Sequence, residues 1–239
     1  MVQSQDLTKN AAQTRGSTTY LNFSFFKIDP RWRWLNEAAK NEAIKEFGKL
    51  LEYSSDSQKG MLVRTYSTVG LREDADFMLW TISDNVEKMQ TLASRVYSTV
   101  LGKYIEASYV YLSATRPSVY SSKVVPGFMT GQPPMRFVVV YPFVKSREWY
   151  LLPFEERKRM MEEHIIVGRK FPQVRLNTTC SFGLDDQDFM LAFETEDLMA
   201  FQELIIQLRE TQVSRYVVKD TPMIVCVHKG IEQTLCDFG

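Results

Sequence analysis

The chain has 239 residues, 44% of them hydrophobic, and a formal net charge of +0 from 29 basic and 29 acidic side chains. That length can bury an ample core, and a balanced charge gives no field for phosphate backbones or anionic lipid, so nucleic acid and membrane surfaces are excluded as first partners. Cys180, Cys226 and Cys236 are odd in number with no CxxC, and no apolar run approaches a spanning helix, so the expectation is a cytoplasmic protein.

In chain order, Met1 to Thr18 is polar, lacks the apolar stretch of a leader, and is expected as a loose tail. Tyr20 to Ile28 is apolar and aromatic enough for a strand. Asn36 to Leu51 has helical spacing through Ala39, Ile44, Phe47 and Leu51. Met61 to Ser67 and Asp76 to Ile82 read as strands around a glycine-containing turn. Val86 to Leu101 reads as a helix capped by Ser83 or Asp84. Ser108 to Ser113 closes this unit, residues 19–120. Ser121 to Pro134 is rich in Gly, Pro and Ser and reads as a linker.

The second unit, residues 135–230, repeats the order. Arg136 to Val144 is predicted as a strand and Pro153 to Gly168 as a helix ending at glycine. Val174 to Ser181 and Asp188 to Glu194 follow as strands, then a helix over Asp197 to Gln212 and a strand over Met223 to Val227. Residues 231–239 read as a tail. The two units also share words. GLREDADFMLW (Gly70 to Trp80) faces GLDDQDFMLAF (Gly183 to Phe193), and Asp76 and Asp188 open an identical DFML 112 positions apart. Two copies of one βαββαβ unit explain this, and βαββαβ is the ferredoxin-like pattern. The fold class expected is therefore α+β: two ferredoxin-like halves whose open sheet faces bury one another in a barrel wrapped by helices.

Few residues carry chemistry. The motifs of dinucleotide-binding folds, P-loops, zinc proteases and serine hydrolases are absent. The two histidines are His164, in FEERKRMMEEHIIVGRKF, and His228, at the end of the last strand. They cannot build a closed metal site with scattered cysteines. Haem differs, because one axial imidazole suffices. Tyr141 and Lys145 flank a proline in YPFVKSREWY and suit redox chemistry and carboxylate binding, or else an interior aromatic and a solvated lysine. Cys180 reads as a small buried hydrophobe.

The stretches VVVYPFVKSREWY, EERKRMMEEHIIVGRKF, SFGLDDQDFMLAFET and QVSRYVVKDTP resemble the chlorite dismutase superfamily of haem-binding proteins, over about Tyr20 to Lys229. The resemblance implies paired ferredoxin-like halves, a homopentamer, and an iron porphyrin (haem b or coproheme) in the C-terminal half with His164 as proximal ligand. The superfamily holds chlorite dismutases, which make chloride and dioxygen from chlorite, and coproheme decarboxylases, which use hydrogen peroxide.

Three positions separate the two activities. Where dismutases carry a distal arginine, this chain has Leu176 or Asn177, depending on the direction of counting. Where they carry a glutamate bonded to the histidine, it has Val213. The decarboxylases' radical-forming tyrosine and the lysine four residues on are matched by Tyr141 and Lys145, and Ser214 matches a serine that contacts a propionate. A neutral distal residue cannot hold an anionic oxidant, and an imidazole lacking a carboxylate partner is a weaker electron donor.

Tyr120 is retained at the propionate edge. Val119 stands where an asparagine is common, with Arg116 as the compensating contact. The resemblance thus implies peroxide-driven decarboxylation of coproheme to haem. The alternatives are chlorite dismutation, general haem peroxidation, or a haem-poor, non-enzymatic member.

Overall fold

The computed structural model describes residues 18–56, 58, 60–120 and 125–239, so nearly all of the expected N-terminal tail and Ser121 to Val124 of the linker lie outside them. The first half runs β1 (Tyr20–Ile28), α1 (Glu37–Ser54), β2 (Met61–Ser67), β3 (Phe77–Ser83), α2 (Val86–Ser98) and β4 (Ile105–Ala114). A 3-10 turn, Pro30–Trp34, joins β1 to α1. The second half runs β5 (Phe137–Lys145), α3 (Arg147–Leu151), α4 (Phe154–Gly168), β6 (Val174–Cys180), β7 (Phe189–Thr195) and α5 (Leu198–Arg209). Two short strands, β8 (Val217–Lys219) and β9 (Ile224–His228), and then α6 (Ile231–Cys236) complete it.

Each half makes an antiparallel sheet, β2-β3-β1-β4 and β6-β7-β5-β9, and the sheets join edge to edge into a closed ring of eight strands. Closure removes exposed sheet edges. The two joins are narrow: β2 meets β9 through Tyr66↔His228 and Ser67↔Val227, and β4 meets β6 through Ala114↔Cys180. Side chains of one parity fill the barrel, with Phe23, Phe25, Tyr66, Trp80, Val138, Val140 and Met190 among them. Those of the other parity face the helices, giving one outer layer per half. By that alternation Phe25 enters the barrel and its neighbour Phe26 the helix-facing layer, with a β-bulge between them.

The repeat is physical as well as textual. Gly70 and Gly183 take left-handed φ angles of 76° and 71° in equivalent turns, which glycine adopts without a Cβ clash. Asp76 accepts from the Ile28 amide at 2.8 Å, and Asp188 accepts from the Lys145 amide at 2.8 Å, so each fastens the end of its half's first strand. The spacing is not constant, however. From Tyr20 to Phe137, and from Glu37 to Phe154, the copies are 117 positions apart; by Phe77 and Phe189 they are 112 apart. The second copy is shorter around the end of its first helix and in its hairpin.

Several local expectations are corrected. The cap of α2 is Asn85, which accepts from the Glu87 amide at 2.6 Å. Ser83 instead donates to the Gly60 carbonyl and Asp84 pairs with Lys88. REWYL forms α3, which was not expected. Residues 231–236 form α6, which lies on α1 and β2 and delivers Leu235 and Phe238 to the first half's outer layer. Among the described residues no helix is long and apolar enough to cross a membrane.

Candidate functional site

The two outer layers are filled differently. Under α1 the first layer is closed by Phe26, Trp32, Phe47, Leu51, Phe77 and Leu101, all buried, and α1 itself buries Lys40, Ala43, Phe47, Gly48 and Leu51. In α4, the matching helix, Met160 is the buried residue. Much of the second layer is only partly buried, including Phe143, Leu176, Leu191 and Leu208. The wall is also interrupted. β4 is continuous, whereas its counterpart is split into β8 and β9, and β5 has no partner on that side between Val140 and Val144. Pro142, which has no amide hydrogen to donate, falls in this stretch. The second layer is thus bordered by a loosely seated helix and a broken strand.

Tyr141 lies at that break. It is 4% exposed, packs in the layer with Phe171, Phe201 and Leu204, and stacks on Phe193 at 6.0 Å between centroids. Burial raises its pKa far above the ordinary tyrosine value, with Asp220 adding to the shift, so the phenol keeps its proton at neutral pH. Four residues on, Lys145 projects from the same face of the strand. Its Nζ lies 3.5 Å from the Trp149 ring centroid and 3.8 Å from Met161 Sδ. Burial and the nearby positive charge of Arg157 push its pKa down to about 7, partly opposed by Asp188. Asp188 Oδ2 is itself engaged by the Lys145 amide and by the Tyr150 hydroxyl at 2.7 Å.

His164 comes from α4, on the same helical face as Arg157 and Met161. Burial, then the charge of Lys145, push its pKa down to about 4, slightly opposed by Glu163, so the imidazole is neutral at physiological pH. Its Nδ1 is buried and has no hydrogen-bond partner. An orphaned buried ring nitrogen is costly unless something occupies the site. A neutral imidazole is the form that binds a metal, so the donor fits a metal ligand. Val213 is buried with Trp149 and Met160 and has no side-chain acceptor to offer.

The other expected residues divide. Leu176 faces the outer layer, so of the two distal candidates it is the one on the site's side. Asn177 has the opposite parity and points into the barrel: it is 1% exposed, accepts from the Phe128 amide and donates to the Ala192 carbonyl and to Glu194. The polar atoms of Asn177 are thus committed on the far side of the sheet from Leu176. Tyr120 stacks on Phe154 at 5.9 Å and packs near Trp149 at 6.4 Å. Ser214 Oγ is within 2.7 Å of both the Arg209 and Thr211 carbonyls. It closes the end of α5 and has lone pairs but no free proton for a carboxylate. Arg116 is exposed after β4 and acts on Cys180, whose pKa burial raises.

Trp149, Arg157 and Met161 were not anticipated. The 117-residue spacing would have found the first, since it pairs Trp32 with Trp149, both almost fully buried. A crevice of about 500 Å³ beside the β2–β9 join, lined by Arg64, Phe128, Gln132 and His228, contains none of the expected site residues.

Three comparisons relate the chain to known proteins. A family model described as chlorite dismutase matches residues 40–229. A coproheme decarboxylase from Mycolicibacterium smegmatis is 37% identical over 220 residues, covering 90% of this chain and 92% of its own. A double mutant of the chlorite dismutase from Candidatus Nitrospira defluvii superposes with a TM-score of 0.84 at 25% identity, covering 92% of this chain and 95% of that one. A single mutant of the same enzyme reaches 0.85 at 24%, covering 97% and 99%. The match extends through both halves, across the helix of His164 and the strand of Tyr141, and the chain belongs to the chlorite dismutase family.

Proposed function

We propose that this protein binds iron coproporphyrin in the outer layer of its second half and carries out its peroxide-driven oxidative decarboxylation to haem. The observation that carries the reading is His164: a neutral, buried imidazole with an orphaned Nδ1, beside a layer that also holds a buried tyrosine and a lysine without an ion-pair partner among the described residues. The resemblance to a coproheme decarboxylase supports it.

The iron porphyrin, when bound, supplies the oxidising chemistry that peroxide drives. His164 would hold the iron. Lys145 would hold the carboxylate of a reacting propionate, and Trp149 would fix the ammonium through its ring face. Tyr141, protonated at rest, would act as the hydrogen-atom relay: having given one electron and its proton to the peroxide-oxidised porphyrin, its phenoxyl would take a hydrogen atom from the propionate β-carbon, and the carboxylate would leave as carbon dioxide with one further electron passing to the same oxidant, giving a vinyl group. Phe171, Phe193 and Phe201 keep water from the phenol. Leu176 puts no charge on the layer, whereas chlorite chemistry calls for a cationic donor to hold an anionic oxidant. Cytoplasmic location and homopentameric assembly belong to the same proposal.

The test is an anaerobic titration with iron coproporphyrin, followed by peroxide and mass detection. A Soret band lost in His164→Ala, with stepwise loss of carbon dioxide and two hydrogens per propionate, supports the reading. Tight binding without mass loss, together with oxygen evolution from chlorite, would replace it with dismutation. No binding of either porphyrin would remove it.

A further inference from the structure

Arg157 stands out once the two halves are aligned at 117 positions. Its counterpart in the first half is Lys40, a buried cation paired with Glu37 one turn earlier at 3.1 Å. In α4 the position of Glu37 is taken by Phe154. The guanidinium of Arg157 lies 5.8 Å from the Phe154 ring centroid, and its Nε is buried without a hydrogen-bond partner. The second half has kept the cation and dropped its counter-ion.

A second cation lies on the same side: Lys145 Nζ is 3.8 Å from Met161 Sδ, one turn along α4 from Arg157. Lys145 replaces Ile28, a core residue of the first half, and it too has no ion-pair partner among the described residues. Two half-buried cations gathered on one face of α4 are unfavourable unless an anion joins them. Asp188 does not serve, since its Oδ2 is taken by the Lys145 amide and the Tyr150 hydroxyl. Arg157 lies seven residues before His164 on the same helical face, about 10.5 Å along the axis at 1.5 Å per residue. At that distance Arg157 would meet a peripheral substituent, and not the metal, of a porphyrin that His164 would hold.

Resting on the function proposed above, we propose that Arg157 and Lys145 form a two-cation seat for a carboxylate that the substrate carries and the product lacks, so that the site discriminates between porphyrins by carboxylate number. When the carboxylate leaves as carbon dioxide, the seat loses its anion and the uncompensated repulsion favours release of the product. Arg157 is a specificity-determining residue on this account.

The experiment uses metal-free porphyrins, so that neither iron ligation nor turnover contributes. Binding of coproporphyrin III, with four carboxylates, and protoporphyrin IX, with two, is read from quenching of tryptophan fluorescence. Wild type should prefer coproporphyrin. Arg157→Met should weaken coproporphyrin about tenfold, ~1.4 kcal/mol, and protoporphyrin less than about twofold, with a shallower dependence of coproporphyrin binding on salt. Phe154→Glu, which restores the first half's counter-ion, should reproduce that loss with Arg157 in place, while Arg157→Lys should retain most of the preference. Thermal melts of each variant show whether it is folded.

Equal weakening of both porphyrins, or an unchanged preference in folded Arg157→Met, overturns the seat and leaves the function standing. A wild type that binds iron coproporphyrin but neither metal-free porphyrin overturns the seat alone, and one that binds none of the three overturns both.

Discussion

The halves share a plan and differ in what lies between sheet and helices. In the first, Phe47 on α1 is fully buried against Phe77. Ile28 ends β1 in the same layer, and Lys40 is neutralised by Glu37. At the matching places the second half has His164, Lys145, and Arg157 with Phe154. Each change exchanges packing or pairing for an unmet valence: an orphaned nitrogen, a buried ammonium, a cation without its carboxylate. The comparison teaches that stabilisation has been withdrawn from one of two equivalent layers, the one that holds the proposed site, while the other kept it. On the proposed function, activity therefore resides where the repeat is broken, and rigidity where it is intact.

Four measurements break or sharpen this contrast. The largest effect expected is on turnover: Tyr141→Phe keeps porphyrin binding and lowers decarboxylation by at least about a thousandfold, ~4 kcal/mol in the barrier. Retained turnover would remove the tyrosine from the chemistry. Next comes stability of the ligand-free protein. Phe47→Ala should cost about 3–5 kcal/mol in denaturant unfolding, the usual range for a large aromatic in a closed core. His164→Ala should cost less than about 1 kcal/mol, because its environment leaves the ring unsatisfied. Similar losses at both positions would mean that the layers are equally packed.

Third, His164→Ala should weaken iron coproporphyrin by about a hundredfold, ~2.7 kcal/mol, and leave metal-free coproporphyrin nearly unchanged in a fluorescence titration.

The smallest effect is in the pH dependence of ligand-free stability. Folded His164 titrates at about 4 against an ordinary 6.5, so the unfolded chain binds the extra proton between those values. Its contribution is full above about 6.5 and is lost as pH falls toward 4. Lys145, near 7 when folded against 10.5, adds a second window in which stability rises with pH from about 7 to 10.5. Melting curves of His164→Leu should be flatter in the acid window alone, and those of Lys145→Met in the alkaline one. A change in the wrong window would contradict the burial of these groups.

Much of the plan was legible because it depends on local pattern. β1 and β2 begin and end where alternation and turn residues indicate, and the DFML repeat marked the duplication. The capping of α2 was misplaced because Ser83, Asp84 and Asn85 are all competent caps, and only tertiary contacts to Gly60 and Lys88 remove the first two. The helix α6 was missed since IEQTLC is short and half polar, and its partners are far away in sequence. At the site, Tyr141, Lys145 and His164 came from motif resemblance; composition alone left them bland. Leu176 and Asn177 could not be separated by counting across a loop of uncertain length, whereas strand parity separates them at once. Arg157 was invisible without the 117-residue alignment, which is weak in letters and clear in element boundaries.

The placement of α6 bears on how the molecule is made. Leu235 and Phe238 complete a core whose other members, from Phe26 to Ile105, are translated much earlier. At typical rates Leu235 follows Ile105 out of the ribosome by on the order of ten seconds. During that interval the better-packed half waits with part of its hydrophobic layer uncovered, so the first half to be synthesised is among the last to be finished.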